Sequence, residues 1–88
     1  MTADEQIADE QIIVDVLREH GKVPISSAGV DPDADLYALG LTSHASVNVM
    51  LALEDAFDIE LPDRLLRKST FASVGAIRSA VQEVRGAA

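Results

Sequence analysis

Phe71, Val74, Ile77, Val81 and Val84 follow one another at intervals of three or four. That repeat draws one apolar stripe along an α-helix and fits no strand, whose faces alternate every second residue. Two further stretches carry the same signature. Ile7, Ile13, Val14 and Leu17 recur at near-helical spacing, with Asp4, Glu5, Asp9, Glu10, Asp15 and Glu19 mostly between them. Val47, Met50, Leu51 and Phe57 fall on a second-helix stripe that Leu53 widens. No hairpin signal, internal repeat or low-complexity run interrupts them. Hydrophobic residues make up 48% of the chain, yet the only aromatic ones are Tyr37, Phe57 and Phe71. An aliphatic core of this kind suits packed helices better than a sheet sandwich.

The punctuation sets the boundaries. The first helix should run over residues 4–19, its early acids favoured by the positive end of the helix dipole, with Gly21 as the stop. A connection from Lys22 to about Leu41 contains Pro24, Gly29, Pro32 and Gly40. Its length requires that parts of it pack, with Ile25, Val30, Leu36, Tyr37, Leu39 and Leu41 as anchors and a helical turn across Asp35 to Leu39. The second helix should start at Thr42 or Ser43, either of which can cap it, and end near Asp58. Pro62 breaks the chain, Asp63 can cap a short helix through Lys68, and Thr70 can cap the last helix, which ends at about Arg85. The expected fold is all-α: a small four-helix bundle, three main helices and one short, with a long loop after the first. At 88 residues it should be a single domain over 1–88.

Charge and residue usage exclude several functions. There is no cysteine, so neither disulfides nor thiolate metal sites are available. No apolar run approaches the ~20 residues of a membrane span. The acidic start, Met1 to Glu10, is unlike a secretory signal, and a cytoplasmic location is the expectation. Fifteen acidic against seven basic residues give a net charge of −8, which repels nucleic acid and favours partners with basic patches. The balance is uneven: after position 63, Arg64, Arg67, Lys68, Arg78 and Arg85 face only Glu83.

The segment with chemistry begins where the loop ends. Gly40-Leu41 delivers the Ser43 hydroxyl to the start of a helix, where backbone N–H groups and the dipole favour an anion. A phosphodiester built on Ser43 would be stabilised there and would project outward. Locally, Ser43 also reads as no more than a capping hydroxyl.

The larger pattern resembles the acyl carrier protein family. There a Gly-x-Asp-Ser-Leu motif precedes an amphipathic helix ending in Glu-x-x-Phe, then an Ile-x-(Ile/Leu)-Pro-Asp stretch. The corresponding residues are Gly40-Leu41-Thr42-Ser43-His44, Glu54-Asp55-Ala56-Phe57 and Ile59-Glu60-Leu61-Pro62-Asp63. The resemblance implies a carrier, not an enzyme. A phosphopantetheinyl transferase would move 4′-phosphopantetheine from coenzyme A onto Ser43, and the arm's thiol would hold cargo as a thioester. The cofactor would bring the thiol chemistry that a cysteine-free chain lacks.

Two residues depart from the motif: Thr42 stands where the family usually has Asp, and His44 where it has Leu or Met. Arg64, Arg67 and Lys68 also place positive charge where carriers of fatty acid synthesis are more acidic. The combination of Gly40-Leu41-Thr42-Ser43, of Phe57-Asp58-Ile59-Glu60 with Pro62-Asp63-Arg64-Leu65-Leu66, and of Thr70-Phe71 is similar to stand-alone aminoacyl carrier proteins. That favours aminoacyl over fatty-acid, lipid or polyketide cargo. It implies an amino acid:carrier protein ligase and downstream acceptor enzymes as partners of a chain that is monomeric when free. Ser43 is the expected attachment residue, and Thr42, His44, Glu54, Asp55, Arg64 and Arg67 are the expected partner contacts.

Rival readings make different demands on the same residues. Asp31, Asp33 and Asp35 match EF-hand positions 1, 3 and 5, but Leu36 and Thr42 stand where Gly and Glu are required. Ser43 beside His44 suggests a hydrolase, yet neighbouring helical side chains point about 100° apart and cannot pair as nucleophile and base. A carrier-like interaction module that is never modified would tolerate loss of the Ser43 hydroxyl.

Overall fold

The computed structural model describes residues 3–25 and 31–87. The side chains of Asp4, Glu5 and Ile7, and the residues Gly29 and Val30, lie outside what is described. Helices α1 (Ala3–Glu19), α2 (Ser43–Phe57) and α3 (Val74–Ala87) form the frame, and α1 lies against both of the others. No strand is present among the described residues. No helix among them is long and apolar enough to cross a membrane. The all-α expectation therefore holds.

The core draws on every element. Ile13 and Leu17 of α1, Val49 and Leu53 of α2, and Val74, Ile77 and Val81 of α3 are sealed from solvent, joined by Leu36 and Leu41 of the long loop. Two ion pairs, Glu10 with Arg78 and Asp9 with Arg85, tie α1 to α3 along the rim. The Arg85 guanidinium also sits 5.9 Å from the Phe57 ring centroid, linking α3 to the end of α2.

α1 stops at Glu19, just before Gly21, and the left-handed residue beyond it is Lys22 (φ 57). The Leu17 carbonyl accepts from Gly21 N (3.1 Å) and Val23 N (3.2 Å), wrapping the terminus. Gly21 is needed for closeness instead: a Cβ there would lie 2.9 Å from both Leu17 O and Val49 Cγ2. Glycine is what lets the end of α1 meet α2.

The short helix over 63–68 is two 3₁₀ turns, Asp63–Leu65 and Lys68–Phe71. Between them Arg67 is extended (φ −136, ψ 160), and Asp63 is the first residue of its turn while Pro62 takes the cap position. Leu61 and Phe71 are both anchored in the core. The extended residue lengthens the path between them, which a continuous α-helix rising ~1.5 Å per residue would shorten.

Thr70 is buried inside the second turn and does not cap α3. Ser73 does, its Oγ accepting from Ala76 N at 3.1 Å. A spacing of three from Phe71 to Val74 fits a 3₁₀ turn running into a helix as well as it fits one helix.

The third correction concerns α2, after the short helix and the Thr70 cap. Val47 and Leu51 are 52% and 55% exposed, and Val49 with Leu53 faces the core. Met50 and Phe57 are half-buried beside them.

Candidate functional site

The long loop is built as a pedestal. Asp31 Oδ1 accepts from Asp33 N (2.8 Å), and Asp35 Oδ1 accepts from Tyr37 N (3.0 Å). These two acids therefore hold turns, and no group of three or more His, Cys, Asp or Glu among the described residues is placed to hold a metal ion. The expected turn at Asp35 to Leu39 is present, with Leu39 N donating to Asp35 O (3.2 Å) and Leu36 O (3.1 Å). Two bonds fasten the loop to the region where α3 begins: Leu36 N to Ala72 O (2.7 Å) and Gly75 N to Pro32 O (2.9 Å). Gly40 takes φ 121, a conformation that side chains disfavour, and the chain turns there so that buried Leu41 plugs the core. The next two residues are Thr42 and Ser43.

Thr42 is the N-cap. Its backbone is extended (φ −95, ψ 159) and its Oγ1 accepts from Ala45 N at 3.0 Å. Ser43 is the first helical residue and is exposed. The cap is thus supplied by the neighbour, and the Ser43 hydroxyl is left at the surface. No acidic side chain stands in the first turn of α2 to offset the positive end of the helix. The site accordingly combines an accessible hydroxyl with an electrostatic setting suited to a phosphodiester. Replacing Thr42 with Ala should lower stability by about 0.5–2 kcal/mol, the usual cost of losing such a cap. Urea unfolding measures it, and an unchanged midpoint would mean that Thr42 is not the cap.

Ser43 opens onto a groove of about 200 Å³. One wall is the α2 face of Ser43, Ser46, Val47 and Met50, and the other is the 3₁₀ region with Leu66 and Lys68. Tyr37 lies between them: its hydroxyl donates to Lys68 O (3.1 Å), while Lys68 Nζ rests 4.8 Å from its ring centroid. Burial, and secondarily the negative charge of Asp35, raises the Tyr37 hydroxyl above the ordinary tyrosine pKa. It therefore stays protonated as a donor. Of the groove residues, Ser43 and Arg67 are among the expected site residues and the rest are not. The signal for the α2 wall was present, since positions 43, 46, 47 and 50 fall on one helical face.

Of the expected partner contacts, Thr42 and His44 flank Ser43 and Arg67 lines the same groove, whereas Asp55 lines another. His44 is exposed beside Ser43. Glu54 is half-buried and its Oε2 accepts from Leu61 N (2.8 Å), which fixes the exit from α2. Asp55 is exposed and shares a separate groove with Glu19, His20, Lys22, Asn48 and Leu51. Arg64 pairs with Glu83 at 2.9 Å, and Arg67 folds back to donate to Arg64 O through Nε (2.8 Å) and Nη2 (2.6 Å).

This arrangement defines a class: a small helical scaffold that presents an exposed serine hydroxyl at a helix start. Comparison gives the family. Residues 11–81 match the family model described as phosphopantetheine attachment site, and the chain belongs to that family. Its prosthetic group is covalently attached phosphopantetheine. The chain is 47% identical over 70 residues to an aminoacyl carrier protein from Agrobacterium fabrum (strain C58), covering 80% of this chain and 84% of that one.

Solved structures agree with the sequence match. One match, at TM-score 0.80 and 43% identity, comes from a crystal structure of an engineered Bradyrhizobium japonicum glycine:[carrier protein] ligase complexed with carrier protein from Agrobacterium tumefaciens and ATP. It covers 86% of this chain and 99% of the other. A solution structure of an Agrobacterium tumefaciens protein matches at TM-score 0.67 and 43% identity, over 90% of this chain and 99% of that one.

Proposed function

We propose that this chain carries an aminoacyl group as a thioester on a 4′-phosphopantetheine arm attached at Ser43, loaded by an amino acid:carrier protein ligase. The observation that carries the attachment residue is the division of labour at the start of α2. Thr42 Oγ1 makes the capping bond, so the exposed Ser43 hydroxyl is not required by the helix. The aminoacyl cargo is supported by the Agrobacterium relatives, one an aminoacyl carrier protein and one matched in a complex with a glycine:[carrier protein] ligase.

The chain supplies position and surface, and its partners supply catalysis. Neither Ser43 nor His44 is placed to activate the other. We take residues 1–88 as one carrier domain, working in the cytoplasm where coenzyme A and the ligase's ATP are at hand, and passing its cargo to downstream acceptor enzymes. Thr42 and His44, next to the attachment point, and exposed Asp55 are the residues we assign to partner contact. Glu54, Arg64 and Arg67 act there through the loop they brace.

The test is loading. The arm-bearing chain, incubated with ATP and an amino acid:carrier protein ligase, should gain the mass of one small aminoacyl group (the amino acid less water), and hydroxylamine should remove it. Fatty acids offered with an acyl:carrier protein ligase should give a far lower yield. Efficient fatty acylation with no aminoacylation across several ligases would replace this reading with a lipid carrier.

A further inference from the structure

Lys22 stands where a lysine is costly. Its backbone is left-handed (φ 57), a conformation that glycine or asparagine adopts more readily. Backbone strain of that kind clusters at functional positions. The Lys22 side chain is exposed and makes no bond within the chain. Five of the seven basic residues are engaged: Arg64, Arg78 and Arg85 in ion pairs, Arg67 on a backbone carbonyl and Lys68 over the Tyr37 ring. The other two are Lys22 and Arg18, and Arg18 lies beside Asp15 and Glu19 of its own helix.

Lys22 borders a groove of about 500 Å³ between the end of α1 and α2, on a different flank of α2 from Ser43. Asn48 and Asp55 line its α2 side, are exposed, and make no side-chain bond within the chain. Leu51 between them is 55% exposed. An apolar side chain ringed by unpaired polar groups has the make-up of a protein contact, apolar at the centre and polar at the rim.

We propose that the loading ligase docks on this groove and that Lys22 sets its register, the ligase presenting a carboxylate to Lys22, a basic side chain to Asp55 and an apolar side chain to Leu51. This rests on the reading of the chain as a ligase-loaded carrier. Two features select that partner. His44, Asn48, Leu51 and Asp55 recur at intervals of three or four, so one face of α2 runs from the neighbour of Ser43 into the groove. A protein working on a group carried at Ser43 can therefore hold both. Charge is the second feature. With a net charge of −8 the chain draws basic surfaces in general. A lone cation set among Glu19 and Asp55 repels a uniformly basic surface at that point and accepts one with a carboxylate in register.

The experiment is steady-state loading of the arm-bearing full chain by an amino acid:carrier protein ligase, with the carrier concentration varied and the product read by intact mass. Lys22→Glu sets like charges face to face, so KM for the carrier should rise about tenfold while kcat stays within about twofold. Lys22→Asn removes the charge but suits the left-handed backbone, so KM should still rise, by about threefold, with no loss of melting temperature. Arg18→Glu makes the same change of charge one turn earlier, and its KM should stay within about twofold of wild type. A wild-type KM for Lys22→Glu overturns the dock while leaving the chain a carrier. Equal rises for Lys22→Glu and Arg18→Glu also overturn it, since net charge alone would then set the affinity. Failure of the wild type to load with several ligases removes the carrier reading and the dock together.

Discussion

Leu53→Ala should cost about 2–5 kcal/mol of stability, while Leu51→Ala, two residues earlier on the same helix, should change it by no more than about 0.5 kcal/mol. Leu53 is fully sealed in the core, and its truncation leaves a cavity among side chains that cannot all move in. Leu51 is 55% exposed and gives up little contact when shortened. Domains of this size have only about 5–15 kcal/mol in total, so the first change removes a large share. At roughly 4–8 °C per kcal/mol, the melting temperature of Leu53→Ala should fall by about 10 °C or more, with Leu51→Ala close to wild type. Circular dichroism on heating and in urea measures both. Equal losses would mean that α2 is rotated about its axis from the orientation described here.

That pair also marks where the sequence was legible and where it stopped. Helix number, order and approximate ends follow from the 3.6-residue period and from proline and glycine, and α3 keeps its predicted stripe of Val74, Ile77 and Val81 in the core. On α2 the period is legible in the sequence but the buried face is not. Val47, Met50 and Leu51 are apolar, as are Val49 and Leu53. A helix apolar on more than one side does not declare which side is core. The second apolar row exists because α2 has two duties: Val49 and Leu53 face the core, while Val47 and Met50 line the groove that begins at Ser43.

By its place after Gly40-Leu41 at a helix start, Ser43 reads as a cap as readily as an attachment point, and only the family resemblance singles it out. Thr42 and Ser43 are both good caps by residue type, and only the bond from Ala45 N to Thr42 Oγ1 tells them apart. The intrachain bonds of charged side chains are the least legible, since carboxylates and guanidinium groups look alike in sequence whether or not, like Glu54 on Leu61 N and Arg64 on Glu83, they brace their own chain. Long-range pairing of this kind has no local signal.

Incubation with coenzyme A and a phosphopantetheinyl transferase should add one phosphopantetheinyl group to the wild-type chain and none to Ser43→Ala, read by intact mass. In the expected step Ser43 Oγ bonds to the phosphorus nearer the pantetheine. The pyrophosphate bond of coenzyme A breaks, adenosine 3′,5′-bisphosphate leaves with the electron pair, and the hydroxyl proton passes to a base of the transferase. Alanine has no oxygen to form that bond, so the loss is complete and cannot be recovered with time. Folding does not confuse the result: Ser43 is exposed and is not the cap, so the substitution should shift stability by less than about 0.5 kcal/mol. Ser46→Ala is the internal control. Its hydroxyl lies one turn further along the same face and donates to Ser43 O at 2.7 Å, so the variant should still gain the arm. A group that persists on Ser43→Ala but disappears from Ser46→Ala would move the attachment residue by one turn. No gain by the wild type with several transferases would direct attention to Thr42, where the motif usually supplies a negative charge. Thr42→Asp would then separate a carrier that a general transferase fails to recognise, which the new charge rescues, from an interaction module that is never modified, which it does not.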